Sequence, residues 1–240
     1  MRNNLKENNH SISQQAVGQN ESHLTLLSEN LAIHRDMKAS WQEMKNHARQ
    51  AGFELAIASG YRSFDRQLSI WNRKFNGELA VRDKDNKVIK IQHLSDLEKV
   101  MAILTFSALP GASRHHWGTD IDVYAPNLLP PNQSLQLEPW EYQDQGYFFP
   151  LSQWLIENVS KFGFFFPYQD DQGGVAVEPW HLSFSPLAQQ YEEALTLPLL
   201  SQTIEEEDLA GKDVILANLS MIFKQYITNI NNDINRKNYG

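Results

Sequence analysis

Apolar residues recur at helical spacing between residues 24 and 50: Leu27, Leu31, Met37, Trp41, Met44 and Ala48. They predict one long helix, ended by Gly52 just past its C-terminus. Residues 53–58 are mostly apolar and read as a buried strand. Ser63 is placed to cap a helix over residues 64–75. Residues 76–94 are rich in charge around a short β-like piece at 87–91, and predict a surface excursion, a hairpin over the site. A helix over residues 96–109 is stopped by Pro110 and Gly111, and a strand follows at 121–124. Four prolines in residues 125–147 predict an irregular loop. Residues 151–162 read as a helix with Trp154, Leu155 and Val159 on its buried side. A hairpin is expected from residues 164–168 and 175–184, then a short helix at 186–195. A C-terminal helix is expected over 212–232. No internal repeat or clean second domain is visible. The organisation expected is a flexible arm over residues 1–22, a main domain over 23–197, and a C-terminal helical extension over 198–240.

Composition narrows the class. A chain of 240 residues with 41% hydrophobic side chains supports one large globular domain. No apolar run approaches the ~18 residues of a membrane span, and residues 1–20 are polar, without the apolar stretch of a secretory signal. The reading is cytoplasmic, with periplasmic or exported placement as the alternative. There is no cysteine, so any metal must be held by His, Asp or Glu. The net charge is −8 without a basic stripe, which argues against a nucleic-acid partner.

Candidate chemistry lies in two segments. From Ser113-Arg114-His115-His116-Trp117-Gly118-Thr119-Asp120-Ile121-Asp122 and Glu178-Pro179-Trp180-His181, the residues His115, His181, Asp122 and Glu178 supply two imidazoles, a carboxylate and a spare glutamate. That set matches a catalytic zinc site with three protein ligands, a position for water and a base beside it. His115 and Asp122 are seven positions apart, with Gly118 easing the turn between them, and His181 follows 59 residues after Asp122. Glu178 and His181 fall on opposite faces of a regular strand, so a common site demands a bend at Pro179. Glu178 would accept and pass on the water's proton. Arg62 is a cation for a developing oxyanion or a substrate carboxylate. Ser113 and Gln67 are further candidates for the pocket. Each group also has a plain structural reading: a His–Asp hydrogen bond, a solvated glutamate, an arginine paired with Asp65 or Asp120. His116 has the chemistry of a ligand but reads as a neighbour of the site or a surface residue. Trp117 and Trp180 read as packing.

These residues resemble the VanY-type D-alanyl-D-alanine carboxypeptidases, zinc peptidases of family M15, related to D-Ala-D-Ala dipeptidases and the hedgehog N-terminal domain. Ser113, His115, Gly118 and Asp122 match the pattern SxHxxGxxxD; Glu178, Trp180 and His181 match ExWH; Ser59, Gly60, Tyr61, Arg62, Ser63 and Gln67 match SGYRSxxxQ. The patterns occur in the family's order, across roughly residues 22–197. The resemblance implies an α+β fold, a small central antiparallel sheet flanked by helices. It implies zinc held by His115, Asp122 and His181, with Glu178 as base, Arg62 on the scissile carbonyl or the terminal carboxylate, and Ser113 and Gln67 as further substrate contacts. The implied substrate is a peptidoglycan stem peptide or precursor ending in D-Ala. One departure is Asp120, at a position often small in the family; Arg62, Arg114 or the metal are its open partners. A zinc endopeptidase or D,D-dipeptidase on the same scaffold is the alternative, and a silent zinc-binding module the more distant one.

Overall fold

Ile121 and Val123 alternate with Asp120 and Asp122, and Leu182 and Phe184 alternate with His181 and Ser183. Such alternation sends apolar and polar side chains to opposite faces of a strand. The structure, a computed structural model, describes residues 11–231. In it, β4 (Asp120–Tyr124) and β6 (His181–Phe184) are neighbours in an antiparallel four-stranded sheet. Its other members are β3 (Ala56–Ser59) and β5 (Phe164–Phe165), in the order β3-β4-β6-β5. The molecule is α+β, with helices flanking this small sheet.

The apolar residues of β4 and β6 join one core with Trp41, Met44 and Ala48 of α2 (Lys38–Gln50) and Leu151 and Leu155 of α6 (Phe149–Asn158). A second core gathers Trp71 of α3 (Phe64–Phe75), Val100 and Ile103 of α4 (Asp96–Leu104) and Tyr191 of α7 (Ser185–Ala194). It also takes in α8 (Leu197–Glu205) and α9 (Lys212–Ile222). Trp117 belongs to this second core.

Several expectations need correction. The helix expected over 24–50 begins only at Lys38; before it, β1 (Leu24–Ser28) and β2 (Leu31–His34) form a hairpin. Leu27 and Leu31 fit the helical period, but Glu29-Asn30 supplies a turn between them. Tertiary bonds then engage the backbone: Tyr61 N donates to Ala32 O, and His34 N to Gly118 O. Residues 11–22, expected in a flexible arm, are packed: α1 (residues 11–16) places Ala16 in the second core, and Ala16 O accepts from Trp117 Nε1 at 3.0 Å. Residues 1–10 of that arm lie outside the described residues. The proline-rich stretch contains a short helix, α5 (Pro139–Tyr142), capped by reciprocal bonds of Glu138 and Glu141. The helical extension expected from 198 begins with α8, with Pro198 in its first turn behind the Thr196 cap. The Ser63 cap of α3 and the hairpin-like bridge from Arg82 to Val88 are present as expected. Helix α9 ends at Ile222, ten residues short of its expected end, and passes into a π turn over Phe223–Ile227.

Candidate metal centre

Register brings the groups together. Asp122 lies opposite His181 and Asp120 opposite Ser183, so two adjacent strands present two carboxylates, an imidazole and a hydroxyl on one face. His115 comes from a 3-10 turn, Arg114–Trp117, just before β4. Gly118 ends that turn at φ +69°, and a Cβ there would lie 2.6 Å from a Leu24 methyl and 2.8 Å from His34 N. Glycine satisfies both the left-handed backbone and the narrow gap. The resulting reversal lays His115 beside Asp122.

His115 Nε2 is 3.4 Å from Asp122 Oδ2, and His181 Nδ1 is 3.4 Å from Asp122 Oδ1. One donor atom from each residue lies within 4.8 Å of the other two. Two metal–ligand bonds of about 2.1 Å at a tetrahedral angle span about 3.4 Å, so the spacing suits a shared ion. Asp122 Oδ1 is buried and has no hydrogen-bond partner. A buried carboxylate oxygen left without a hydrogen bond is an unfavourable arrangement that a cation relieves. Two imidazoles and a carboxylate, with no thiolate in the chain, suit zinc.

Both rings are held from behind. His115 Nδ1–H donates to Gly60 O at 2.9 Å, leaving Nε2 toward Asp122. His181 Nε2 lies 3.0 Å from Asp120 Oδ1, leaving Nδ1 toward Asp122 and 3.1 Å from Glu178 Oε2. Glu178 precedes the strand: His181 N donates to Glu178 O, and this turn through Pro179 removes the conflict of opposite strand faces. Glu178 is 9% exposed, not a solvated strand end. Tyr168 packs its ring 5.0 Å from that of His181, and its carbonyl accepts from Glu178 N.

The charges are strongly coupled. Burial alone would lower the His181 pKa, but hydrogen bonds with Asp120 and Glu178 raise it to about 10. Burial opposes ionisation of Asp122, yet His115 beside it holds its carboxyl below the usual range. Burial likewise disfavours the Asp120 carboxylate, and the Arg114 guanidinium overrides it, holding Asp120 well below the usual range. His116 is fully buried rather than a surface residue, and burial lowers it to about 3. It bridges two loops, accepting from Gly111 N at Nε2 and donating from Nδ1 to Arg62 O at 2.6 Å.

A cavity of about 310 Å³ opens beside these groups, lined by Arg62, Ser113, His115, Asp122, Glu178 and His181 among others. Gln67 does not line it. Expected as a substrate contact, Gln67 is instead fully buried behind Arg62, accepting from Nη1 at 2.9 Å while donating to Ala108 O. Arg62 Nε is buried without a hydrogen-bond partner, and burial lowers the guanidinium's pKa. Trp117 and Trp180 pack as expected, yet both also reach the cavity wall. The wall residues not foreseen include Lys74, Tyr168, Tyr226 and Ile227. Lys74 signals itself only as a cation on the buried-side helix α3; the other three carry no local signal.

Comparison with known proteins places this geometry among relatives. Residues 30–187 match the family model "VanY: D-alanyl-D-alanine carboxypeptidase". An uncharacterised protein of Haemophilus influenzae is 45% identical over 125 residues, 51% of this chain and 95% of that protein. A D-alanyl-D-alanine carboxypeptidase of Enterococcus faecalis is 27% identical over 146 residues, covering 60% of this chain and 44% of the relative, so the chain spans less than half of that protein. The solved structure of VanYB in complex with D-Alanine-D-Alanine is similar at 24% identity and a TM-score of 0.50, over 77% of this chain and 89% of that one.

Proposed function

The chain belongs to the VanY family of D-alanyl-D-alanine carboxypeptidases, and on that premise we propose that it is a zinc-dependent D,D-carboxypeptidase. Its substrate on this reading is a peptidoglycan stem peptide or precursor ending in D-Ala, from which the terminal D-Ala is removed. The observation that carries the reading is the convergence of His115, Asp122 and His181, with one donor atom of each within 4.8 Å of the others and Asp122 Oδ1 buried without a hydrogen-bond partner.

His115, Asp122 and His181 would hold the ion. Zinc, when bound, supplies Lewis acidity and lowers the pKa of a water ligand to about 7. Glu178 Oε2, 3.1 Å from His181 Nδ1, would serve as general base and then return the proton to the departing amine. Arg62 faces the cavity, with Gln67 and Ser59 gripping two of its nitrogens, and so offers the substrate a fixed cation. Ser113 stands on the same wall.

Removal of an end residue, rather than cleavage within a chain, is supported by the two excursions that line the cavity: Ala80, Arg82 and Asn86 from one, and Gln136, Leu137, Glu138 and Pro139 from the other. Arg82 and Asn86 tie the two together through Glu138, at 3.5 and 2.6 Å. An endopeptidase needs a groove open at both ends. A D,D-dipeptidase differs in product: it splits the free dipeptide and leaves longer peptides intact. Among the described residues, no helix is long and apolar enough to cross a membrane.

A peptide ending in D-Ala-D-Ala tests the reading, with chelation and zinc add-back. Wild type should release one D-Ala per peptide, lose activity with chelator and regain it with zinc. Glu178→Ala should retain stoichiometric zinc and lose at least about 100-fold in kcat. Full activity in this variant, or hydrolysis of the free dipeptide alone, would contradict the assignment.

A further inference from the structure

We propose that Asp120 is a positioning residue: fixed by Arg114, it holds the His181 imidazole with its proton on Nε2 and its Nδ1 lone pair turned to the metal. The inference rests on the zinc reading above and concerns how this chain aims a ligand.

An imidazole can present either nitrogen, and the partner of the far nitrogen decides which. For His115 that partner is a backbone carbonyl, Gly60 O. For His181 it is a carboxylate, Asp120 Oδ1, at 3.0 Å. Asp120 is fully buried, and both its oxygens are engaged elsewhere as well. Oδ1 accepts from Arg114 Nε at 2.7 Å; Oδ2 accepts from Thr119 Oγ1 at 2.8 Å and Ser183 Oγ at 3.1 Å. Arg114 is fixed in turn. It donates to Ser183 Oγ at 2.7 Å and to Glu192 Oε1 at 2.8 Å, and its guanidinium lies 4.5 Å from the Trp117 ring centroid.

This arrangement connects α7, which carries Glu192, to β6, which carries the ligand. Neither member of the Asp120–Arg114 pair can swing away without leaving a buried charge unpaired. Asp120 therefore offers only an acceptor to Nε2, engaged also with Arg114, and keeps the proton there; Nδ1, which faces Asp122 and Glu178, is the nitrogen that would yield its proton to a cation. A carboxylate behind a ligating imidazole also makes that ligand more basic. Partners of this kind are typically worth about 10–100-fold in metal affinity.

The test uses the full-length chain. In the zinc-loaded wild type labelled with nitrogen-15 at histidine, long-range proton–nitrogen spectra should show the His181 Nε2 proton retained and Nδ1 carrying the metal shift. Zinc affinity is read by competition with a chromophoric chelator. Asp120→Ala should weaken it about 10–100-fold. Asp120→Asn keeps an acceptor oxygen and should recover most of that loss. Ligation through Nε2 in the wild type overturns the proposal, whether or not the alanine variant folds. So does a folded Asp120→Ala protein whose zinc affinity matches wild type. A wild type that binds no zinc removes the zinc reading itself, and this inference with it.

Discussion

On the carboxypeptidase reading, Lys74 is placed to meet the end of the substrate. It sits on the cavity wall and donates to Ser107 Oγ, and no carboxylate lies within ion-pair distance of its ammonium among the described residues. Burial lowers its pKa, and the neighbouring Arg62 charge lowers it further. Glu178 offsets part of that effect, and on the carboxypeptidase reading the substrate's terminal carboxylate would be drawn to Lys74 and Arg62 together. Lys74→Met should raise KM for a peptide ending in a free carboxylate about tenfold, the worth of one charge-assisted hydrogen bond, with kcat nearly unchanged. Steady-state kinetics decide it; an unaltered KM removes Lys74 from substrate binding. None of this was legible at residue 74, because nothing local separates a cavity lysine from a surface one. His115, Asp122, His181 and Glu178 were legible because scarce residue types recur there in recognisable spacing. Gln67 was misread in part: its place in the motif gave proximity to Arg62, but only packing reveals that it stands behind the arginine rather than in the cavity.

At the scale of elements, the β1–β2 hairpin is both the largest departure from the sequence reading and a source of pH sensitivity. Helical and strand periods coincide at Leu27 and Leu31, so periodicity could not choose between them. The choice is made by long-range backbone bonds from Gly118 and Tyr61. The hairpin presents His34, with His23 just before it, in an aromatic cluster with Tyr61 and Tyr191. His23 is 6% exposed, and neither ring nitrogen has a hydrogen-bond partner. Burial, and then repulsion from His34, lowers its pKa from 6.5 to about 4; Arg35 adds to the effect. A depressed histidine binds a proton more readily unfolded than folded. Its contribution to stability is therefore full above pH 6.5 and lost as pH falls toward about 4, at up to about 1.4 kcal/mol per unit. His23→Phe removes the titration and keeps a ring in the aromatic cluster. Urea unfolding of this variant across pH 4–7 should give a shallower fall in stability than wild type. Parallel curves would exclude His23 as the source.

At the scale of the molecule, the question is whether residues beyond the family match form an accessory extension. That match ends at residue 187, and the sequence reading placed a separate helical piece from 198 onward. The packing argues otherwise. Leu200, Ile204, Leu209, Ile215, Leu219 and Ile222 are all buried in the core that holds Trp71, Ile103, Leu104 and Leu109. Trp71 Nε1 donates to Ala210 O, and Asn72 both donates to Asp208 O and accepts from Ala210 N. Farther on, Gln225 and Asn229 donate to the carbonyls of Gly173 and Gln172, beside the place where Tyr226 and Ile227 reach the cavity wall. Fully burying one large apolar side chain contributes about 1.5–3 kcal/mol, so six such residues contribute about 9–18 kcal/mol. The whole stability of a domain is about 5–15 kcal/mol. A chain ending at residue 196 should therefore lose cooperative unfolding and zinc-dependent activity together, rather than yield a smaller active enzyme. Circular dichroism on heating, with D-Ala release measured on the same samples, distinguishes these outcomes. A truncated protein that melts cooperatively and keeps its activity would show that α8 and α9 are an appendage after all. The contacts of α3 agree with the first outcome: this helix, which follows Arg62 and contains Gln67, packs against α4 and is tied through Trp71 and Asn72 to the segment between α8 and α9.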